Sequence, residues 1–371
     1  MQRPKHGGNL AWAAALAGCP PDTILDFSAS ISPLGPPNSA LAAIKSQLDN
    51  LRYYPDPNYC ELRLALSHFH QLSPEWILPG NGSAELLSLA GRELAQLAAT
   101  VLIAPAFGDY YRALAAYDAK VLECPVSLTA TALQESSPLN SVAFLSPLSE
   151  ILDKGQRTNN KGLLLNNPHN PTGKLFSREA ILPYLEKFAL VVVDEAFMDF
   201  LPPDLEQSAI AMVQEYPNLV ILRSLTKFYS LSGLRLGYAI AHPDRLHRWQ
   251  SWRDPWPVNT LASAAAVAAL QDKVFQAETW AWLPPTRNQL FEGLASLPEL
   301  KPLNGAANFL LVESQLSVLE LQQKLLKEHR IFIRDCLSFP ELGDRYFRIA
   351  VLSFSDNQRL LKALSLVISH H

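Results

Sequence analysis

Leu190-Val191-Val192-Val193-Asp194-Glu195-Ala196-Phe197 is the stretch that decides the fold. A short β-branched run closing on a carboxylate reads as a strand buried on both faces. Asp194 then sits at its carboxyl edge, where open α/β sheets bind ligands. Similar runs recur on either side: Val101 to Ala104, Lys120 to Cys124, Gly162 to Leu165, Leu219 to Leu222 and Tyr238 to Ala241. Turn residues bound most of them and helix-length segments separate them, which predicts a mainly parallel sheet covered by helices on both faces. Helical patterns run from Ser39 to Leu51, from about Glu61 to His70 and from Leu86 to Leu97. An alanine-rich helix, Leu261 to Leu270, leads to a C-terminal α+β portion with strands near Asn308 to Val312 and Phe347 to Val351. Three parts are expected: an arm over residues 1–40 that also contributes to the small domain, a large domain over 41–257, and a small α+β domain over 258–371. Ser127 to Lys161 is expected to hold loops and one helix.

The chain has 371 residues, too many for one small core. Its 31 basic and 35 acidic residues make no electrostatic case for nucleic acid or an anionic membrane, so small molecules are the expected partners. Cys19, Cys60, Cys124 and Cys336 are scattered, without metal-ligand spacing or a disulfide framework, and read as reduced thiols of a cytoplasmic enzyme that binds no metal. Arg3 and Lys5 precede the apolar stretch Leu10 to Leu16, and Leu16-Ala17-Gly18-Cys19 resembles a lipoprotein export signal. Against that, the run is short and Asn9 before it is a good helix cap. No other stretch approaches the roughly 20 apolar residues of a membrane-spanning helix.

The chemistry-bearing residues point to one cofactor, pyridoxal 5'-phosphate. Lys227, in Ser224-Leu225-Thr226-Lys227, can hold the cofactor's aldehyde as a Schiff base. Asp194 can pair with the pyridine nitrogen, a role that also relieves its desolvation. Ser224 and Arg235, in Gly233-Leu234-Arg235-Leu236-Gly237, can converge on a phosphate. Gly80-Asn81-Gly82-Ser83-Ala84-Glu85 enters an apolar helix and forms either an anion site or an ordinary helix start. Asn170, in Asn166-Asn167-Pro168-His169-Asn170-Pro171-Thr172-Gly173, can donate to the ring oxygen or simply serve an Asn-Pro turn. Phe107, in Ala104-Pro105-Ala106-Phe107-Gly108-Asp109-Tyr110-Tyr111, can stack on the ring or fill the core. Arg334 and Arg348 lie beside apolar strands and are candidates for a substrate carboxylate or phosphate, with Asp335 or Glu341 as plain ion-pair alternatives.

Across nearly its full length the chain resembles the fold-type I aminotransferase superfamily. Within it, the likeness is greatest to the threonine-phosphate decarboxylases, cobalamin-pathway relatives of the histidinol-phosphate aminotransferases. The segments that carry it are His6-Gly7-Gly8-Asn9, Tyr54-Pro55-Asp56-Pro57, Gly80 to Glu85, Asp194 to Phe200, Arg223 to Tyr229, Pro255-Trp256-Pro257-Val258-Asn259 and Arg334-Asp335-Cys336. The resemblance implies a seven-stranded, mainly parallel sheet in a large domain, with a smaller α+β domain. It implies that Lys227 carries pyridoxal phosphate, with Asp194 at the ring nitrogen and Asn170 at the ring oxygen. Ser83, Ala84, Ser224 and Arg235 would hold its phosphate. A tyrosine at position 54 reaches the neighbouring subunit's site in such families, implying a homodimer. His6, Gly7, Asn9, Gly35, Asn170, Arg334 and Arg348 would meet a phosphorylated amino acid. The implied reaction is decarboxylation of L-threonine O-3-phosphate, with histidinol-phosphate-type transamination as the alternative. Two departures stand out: Phe197 replaces a tyrosine whose hydroxyl normally supports the ring oxygen, and Ser30-Ile31-Ser32 replaces an expected Asn-Ile-Asn.

Overall fold

A computed structural model describes residues 3, 4, 6–126, 145, 147, 148 and 160–369. The expectation for Ser127 to Lys161 therefore falls almost wholly outside the described residues. In chain order the strands are β1 (Leu25–Asp26), β2 (Ile77–Gly80), β3 (Ala99–Ala104), β4 (Val121–Pro125), β5 (Lys161–Asn166), β6 (Leu190–Asp194) and β7 (Leu219–Ser224). There follow β8 (Gly237–Ala241), β9 (Leu300–Pro302), β10 (Phe309–Ser314), β11 (Ile331–Phe332), β12 (Arg334–Asp335) and β13 (Tyr346–Ala350).

The main sheet has seven strands in the order β2-β8-β7-β6-β5-β3-β4. From β4 to β7 every neighbouring pair is parallel, whereas β8 runs antiparallel to both β7 and β2. The run Tyr238 to Ala241 is thus a strand, but a reversed one. Ile77–Gly80 is a further strand that periodicity does not flag, because it is short and contains Pro79. It sits at the sheet edge, the position where a proline's missing N–H does least harm.

Successive side chains on the central strands alternate between two cores, as the period of 2 requires. Val101, Leu163, Leu165, Val191, Val193 and Ile221 face one, and Leu102, Leu164, Val192, Val220 and Leu222 face the other. Each fully buried side chain of this kind contributes about 1.5–3 kcal/mol relative to exposure. Burial on both faces fixes the register, which sets Asn166 opposite Asp194 and Ser224 opposite Gly237 at the carboxyl edge.

A smaller antiparallel sheet, β12-β13-β10-β9, is built from C-terminal strands. The N-terminal arm joins this end: β1 pairs with β11, Phe27 N donates to Phe332 O at 2.8 Å, and Ala350 N donates to Phe27 O at 2.9 Å. It then runs on to Lys227, whose carbonyl accepts from Ser32 N at 3.0 Å. The segment with the export-like pattern is a folded helix, Leu10–Ala17, capped by Asn9 and packed through Ala13 and Ala14 with Leu326 and Phe332. The expected Ser39 to Leu51 helix is divided into Asn38–Ser46 and a tighter turn, Leu48–Arg52, and the expected Leu86 to Leu97 helix is Ser83–Leu94. Among the described residues no helix is long and apolar enough to cross a membrane.

Candidate active site

The carboxyl edge of β5, β6 and β7 opens into a cavity of about 310 Å³, within the range of small-molecule sites. Asp194 ends β6 and is 8% exposed. One carboxylate oxygen, Oδ2, accepts from Tyr110 Oη at 2.8 Å, and the other, Oδ1, accepts from Ala196 N at 3.0 Å. Burial pushes its pKa up to about 6 against the pull of those two donors. Asn166, at the end of β5, donates from Nδ2 to Asp194 O at 2.7 Å and accepts from Asn170 N at 2.6 Å, so it links the Asn170 loop to the acid's strand.

Lys227 lies just beyond β7 and lines the same cavity as Asp194. Burial, then the positive charges of Arg348 and Arg235, push its ammonium down to about 8, while Asp194 opposes the shift. An amine so placed is more readily available as a nucleophile near neutral pH.

At one end of the cavity the helix Ser83–Leu94 begins with no side-chain cap, so its first N–H groups are left for a ligand or water. Ser83, Ala84, Ser224 and Arg235 all line that cavity. Gly82 has φ +74°, and a Cβ there would lie 2.5 Å from Arg235 Nη2, so glycine is what lets the guanidinium lie against this turn. Gly237 does the same for the backbone, since a Cβ would lie 2.6 Å from Ser83 N. Phe107 also lines the cavity, its ring 5.3 Å from that of His6.

His6 and Gly7 reach the cavity because the arm is clamped there. Gly8 N donates to Ser28 Oγ at 2.8 Å, and that hydroxyl donates to Asp26 at 2.6 Å. Arg348 enters from β13. Its Nη1 donates to Asn170 Oδ1 at 2.5 Å, leaving the amide's Nδ2 as the donor, while its own Nε is buried without a hydrogen-bond partner among the described residues. Burial and the neighbouring Arg334, directly opposite in the β12–β13 register, push Arg348 down to about 10.

Four expected residues do not line this cavity. Asn9 Oδ1 is taken as the cap of Leu10–Ala17, accepting from Trp12 N at 3.0 Å, and Gly35 is a half-buried glycine with φ +77° just after the turn at Pro33 and Leu34. Arg334 is set one strand behind Arg348 and donates to Ser338 Oγ at 2.7 Å. Its alternative partner Asp335 accepts from Arg3 Nε at 3.1 Å. Tyr54 is 80% exposed and stacks on Trp256, ring centroids 4.5 Å apart. Phe197 lines the cavity with its ring against Phe309, centroids 5.0 Å apart, and brings no hydroxyl.

Sequence reasoning missed Tyr110, Asn166, Thr226, Ser28 and Ser30, all of which line the cavity. Ser30 Oγ is buried without a partner among the described residues. Tyr110 stands three positions after Phe107, the N-cap residue of the short helix Gly108–Ala115, a spacing that could have flagged it. Among the described residues no group of His, Cys, Asp and Glu is arranged to hold a metal ion.

Behind the cavity lies a second charged cluster. Arg223, 1% exposed, meets Glu195 at 3.0 Å, Asp199 at 2.5 Å and Glu206 at 2.7 Å. Its bridge to Glu195 ties the end of β7 to the residue after Asp194.

Residues 22–364 match the model of the family described as aminotransferase class I and II. The chain is 38% identical to threonine-phosphate decarboxylase of Salmonella typhimurium over 98% of its own length and 96% of that protein's. It is 31% identical to histidinol-phosphate aminotransferase 2 of Nitrosospira multiformis over 98% and 88%. The crystal structure of histidinol-phosphate aminotransferase from Clostridium acetobutylicum superposes with a TM-score of 0.82 at 27% identity, covering 94% of this chain and all of that one. With a match over most of its length, and with the strand-edge acid and the lysine brought into one cavity, the chain belongs to the aminotransferase class I and II family.

Proposed function

We propose that the cavity binds pyridoxal 5'-phosphate and that the chain decarboxylates L-threonine O-3-phosphate to (R)-1-aminopropan-2-yl phosphate and CO₂, supplying the aminopropanol linker of cobalamin. The observation that carries this reading is the company of Lys227, Arg235 and Arg348 in one cavity whose acidic lining residues, among those described, are Asp194 and Asp109. Lys227 and Arg348 are recessed and Arg235 is exposed, and three cations against two carboxylates call for anionic ligands. A cofactor phosphate and a substrate with two anionic ends would meet that need.

The residues present fit the cofactor. Ser83, Ala84, Ser224 and Arg235 would hold its phosphate at the uncapped helix start, Phe107 would cover the ring, Asp194 would meet the ring nitrogen and Asn170 the ring oxygen. When bound, the cofactor supplies an electron sink for the pair left on the substrate's α-carbon as CO₂ departs. Lys227 would hold the cofactor through its amine, and as a free ammonium it would be placed to give a proton to the α-carbon. Arg348, His6 and Gly7, which line the cavity, would grip the substrate's carboxylate and phosphate, with Arg334, opposite Arg348 in the β12–β13 register, adding positive charge behind them. Binding energy from the remote phosphate orients the scissile carboxylate, so part of it is realised only in the transition state. With Phe197 in place of tyrosine, Asn170 would be the side chain donating to the ring oxygen. The exposed Tyr54 and Trp256 pair would pack against a second copy of the chain, with Tyr54 reaching the neighbouring cofactor phosphate.

Purified protein loaded with cofactor and given threonine phosphate, without any keto acid, tests the reading. CO₂ release with the cofactor's aldehyde form retained supports it. Conversion of the cofactor to its amine form without CO₂ overturns it in favour of a histidinol-phosphate-type aminotransferase.

A further inference from the structure

We infer that Tyr110 is a positioning residue for Asp194, holding that carboxylate ionised and aimed at the cofactor's ring nitrogen. The inference rests on the cofactor reading above and goes beyond it, because Tyr110 need not touch substrate or cofactor. Its hydroxyl donates to Asp194 Oδ2 at 2.8 Å, while Oδ1 receives Ala196 N at 3.0 Å. The two donors hold one oxygen each and so fix the plane of the carboxylate. Tyr110 is 2% exposed and rigidly seated, with Phe107 edge-on at 5.7 Å.

The chemistry explains why a phenol suits this position. Asp194 must stay anionic to pair with a protonated ring nitrogen, yet burial favours its neutral form. A neutral donor stabilises the anion without cancelling its charge, whereas a lysine or arginine would compete with the pyridinium for the same carboxylate. The groups facing Asp194 are Tyr110 and the Ala196 N–H, which favour the anion, Lys227, which also favours it, and Asp109, which opposes it. Tyr110 is the side-chain donor among them, and its own burial beside the acid keeps it protonated.

The test is the equilibrium affinity of pyridoxal phosphate for wild type and Tyr110→Phe, measured by absorbance from pH 5 to 9. Losing the donor makes Asp194 protonate more readily, so the acid limb of cofactor affinity should move up by about one pH unit. Affinity at about pH 5, the acid end of the range, should fall about tenfold, the factor that accompanies one unit. KM for threonine phosphate should stay within about twofold, as expected for a residue acting on the cofactor side. If wild type binds cofactor and Tyr110→Phe shows the same acid limb, the inference falls while the cofactor reading stands. A lowered Tm with an unmoved limb overturns it equally. If wild type itself fails to bind cofactor, both fall. Should Tyr110→Phe not fold, 3-fluorotyrosine installed at position 110 keeps the shape and makes a stronger donor. The acid limb should then move downward, and an unmoved limb overturns the inference.

Discussion

Arg223 and Arg348 are both recessed guanidinium groups carried on inner strands of a sheet, yet their surroundings are opposite. Arg223 is enclosed by Glu195, Asp199 and Glu206, whereas no carboxylate lies within ion-pair distance of Arg348 among the described residues. Its hydrogen-bond partner is the neutral Asn170, and its nearest charged neighbours along the site are Arg334 and Lys227. The comparison separates two uses of buried charge. A cation surrounded by anions is self-sufficient and holds the fold. A cation left beside other cations is unfinished until an anion arrives.

Replacing a residue of the unfinished cluster should damage chemistry far more than stability. Lys227→Ala should lower turnover by at least about 10⁴-fold, the upper end for loss of a general acid–base group, with Tm little changed. Normal turnover in a steady-state CO₂ assay would break the comparison at its centre. Arg348→Met should lower kcat/KM by about 100-fold, about 2.7 kcal/mol, within the roughly 2–5 kcal/mol expected when one partner of a buried charge pair is lost. Its cofactor-free Tm should hold or rise, because an isolated buried charge has been removed.

The self-sufficient cluster should respond the other way. Arg223→Met leaves three carboxylates without their cation and should cost about 3–5 kcal/mol in denaturant unfolding. Equal losses of stability in Arg223→Met and Arg348→Met would erase the distinction. A smaller effect is expected at Tyr54, in the proposed subunit contact. Tyr54→Phe should weaken cofactor binding about tenfold, the size of one hydrogen bond to a charged group, without changing the oligomeric state seen by sedimentation.

The pH dependence of stability sharpens the contrast at the smallest scale. Lys227 is held at about 8 when folded against an ordinary 10.5, so between those values the unfolded chain binds the extra proton and stability rises with pH. Asp194 is held up at about 6 against 3.8, so the folded chain binds the extra proton there and stability falls as pH climbs through that window. Glu195 and Asp199, pushed up by burial to about 7 and about 6, add to the same fall. Tm of cofactor-free Lys227→Met should therefore lack the rise between about pH 8 and 10.5, and Asp194→Asn should show a shallower fall on the acid side.

How far the sequence could be read depended on how local the signal was. Val191-Val192-Val193 followed by Asp194 announces a doubly buried strand with an acid at its end, because alternation and burial are encoded in neighbouring residues. Lys227 and Arg235 stand close enough in sequence to suggest one phosphate site. Asn9 was legible as a cap, and the structure uses its side chain for that purpose. The reversal of β8 was not legible, since a fully buried strand has the same pattern in either direction. Nor was Pro79 in an edge strand, where the residue argues against the assignment that the sheet makes. Arg334 and Arg348 looked equivalent in sequence. The β12–β13 register gives only Arg348 to the cavity lining.

What the sequence determined by itself was therefore the class of sheet, the strand-edge acid, the lysine and the arginine that follows it, because each is written in residues a few positions apart. Tertiary structure alone decided that Tyr110 from a helix after β3 meets Asp194 from β6, that Ser28 and Ser30 from the arm line the same cavity as Lys227, and that Arg223 is answered while Arg348 is not. Those outcomes depend on distances across the sheet and between the two sheets. Such distances are set by packing on both faces and by strand register, and linear spacing carries no record of either.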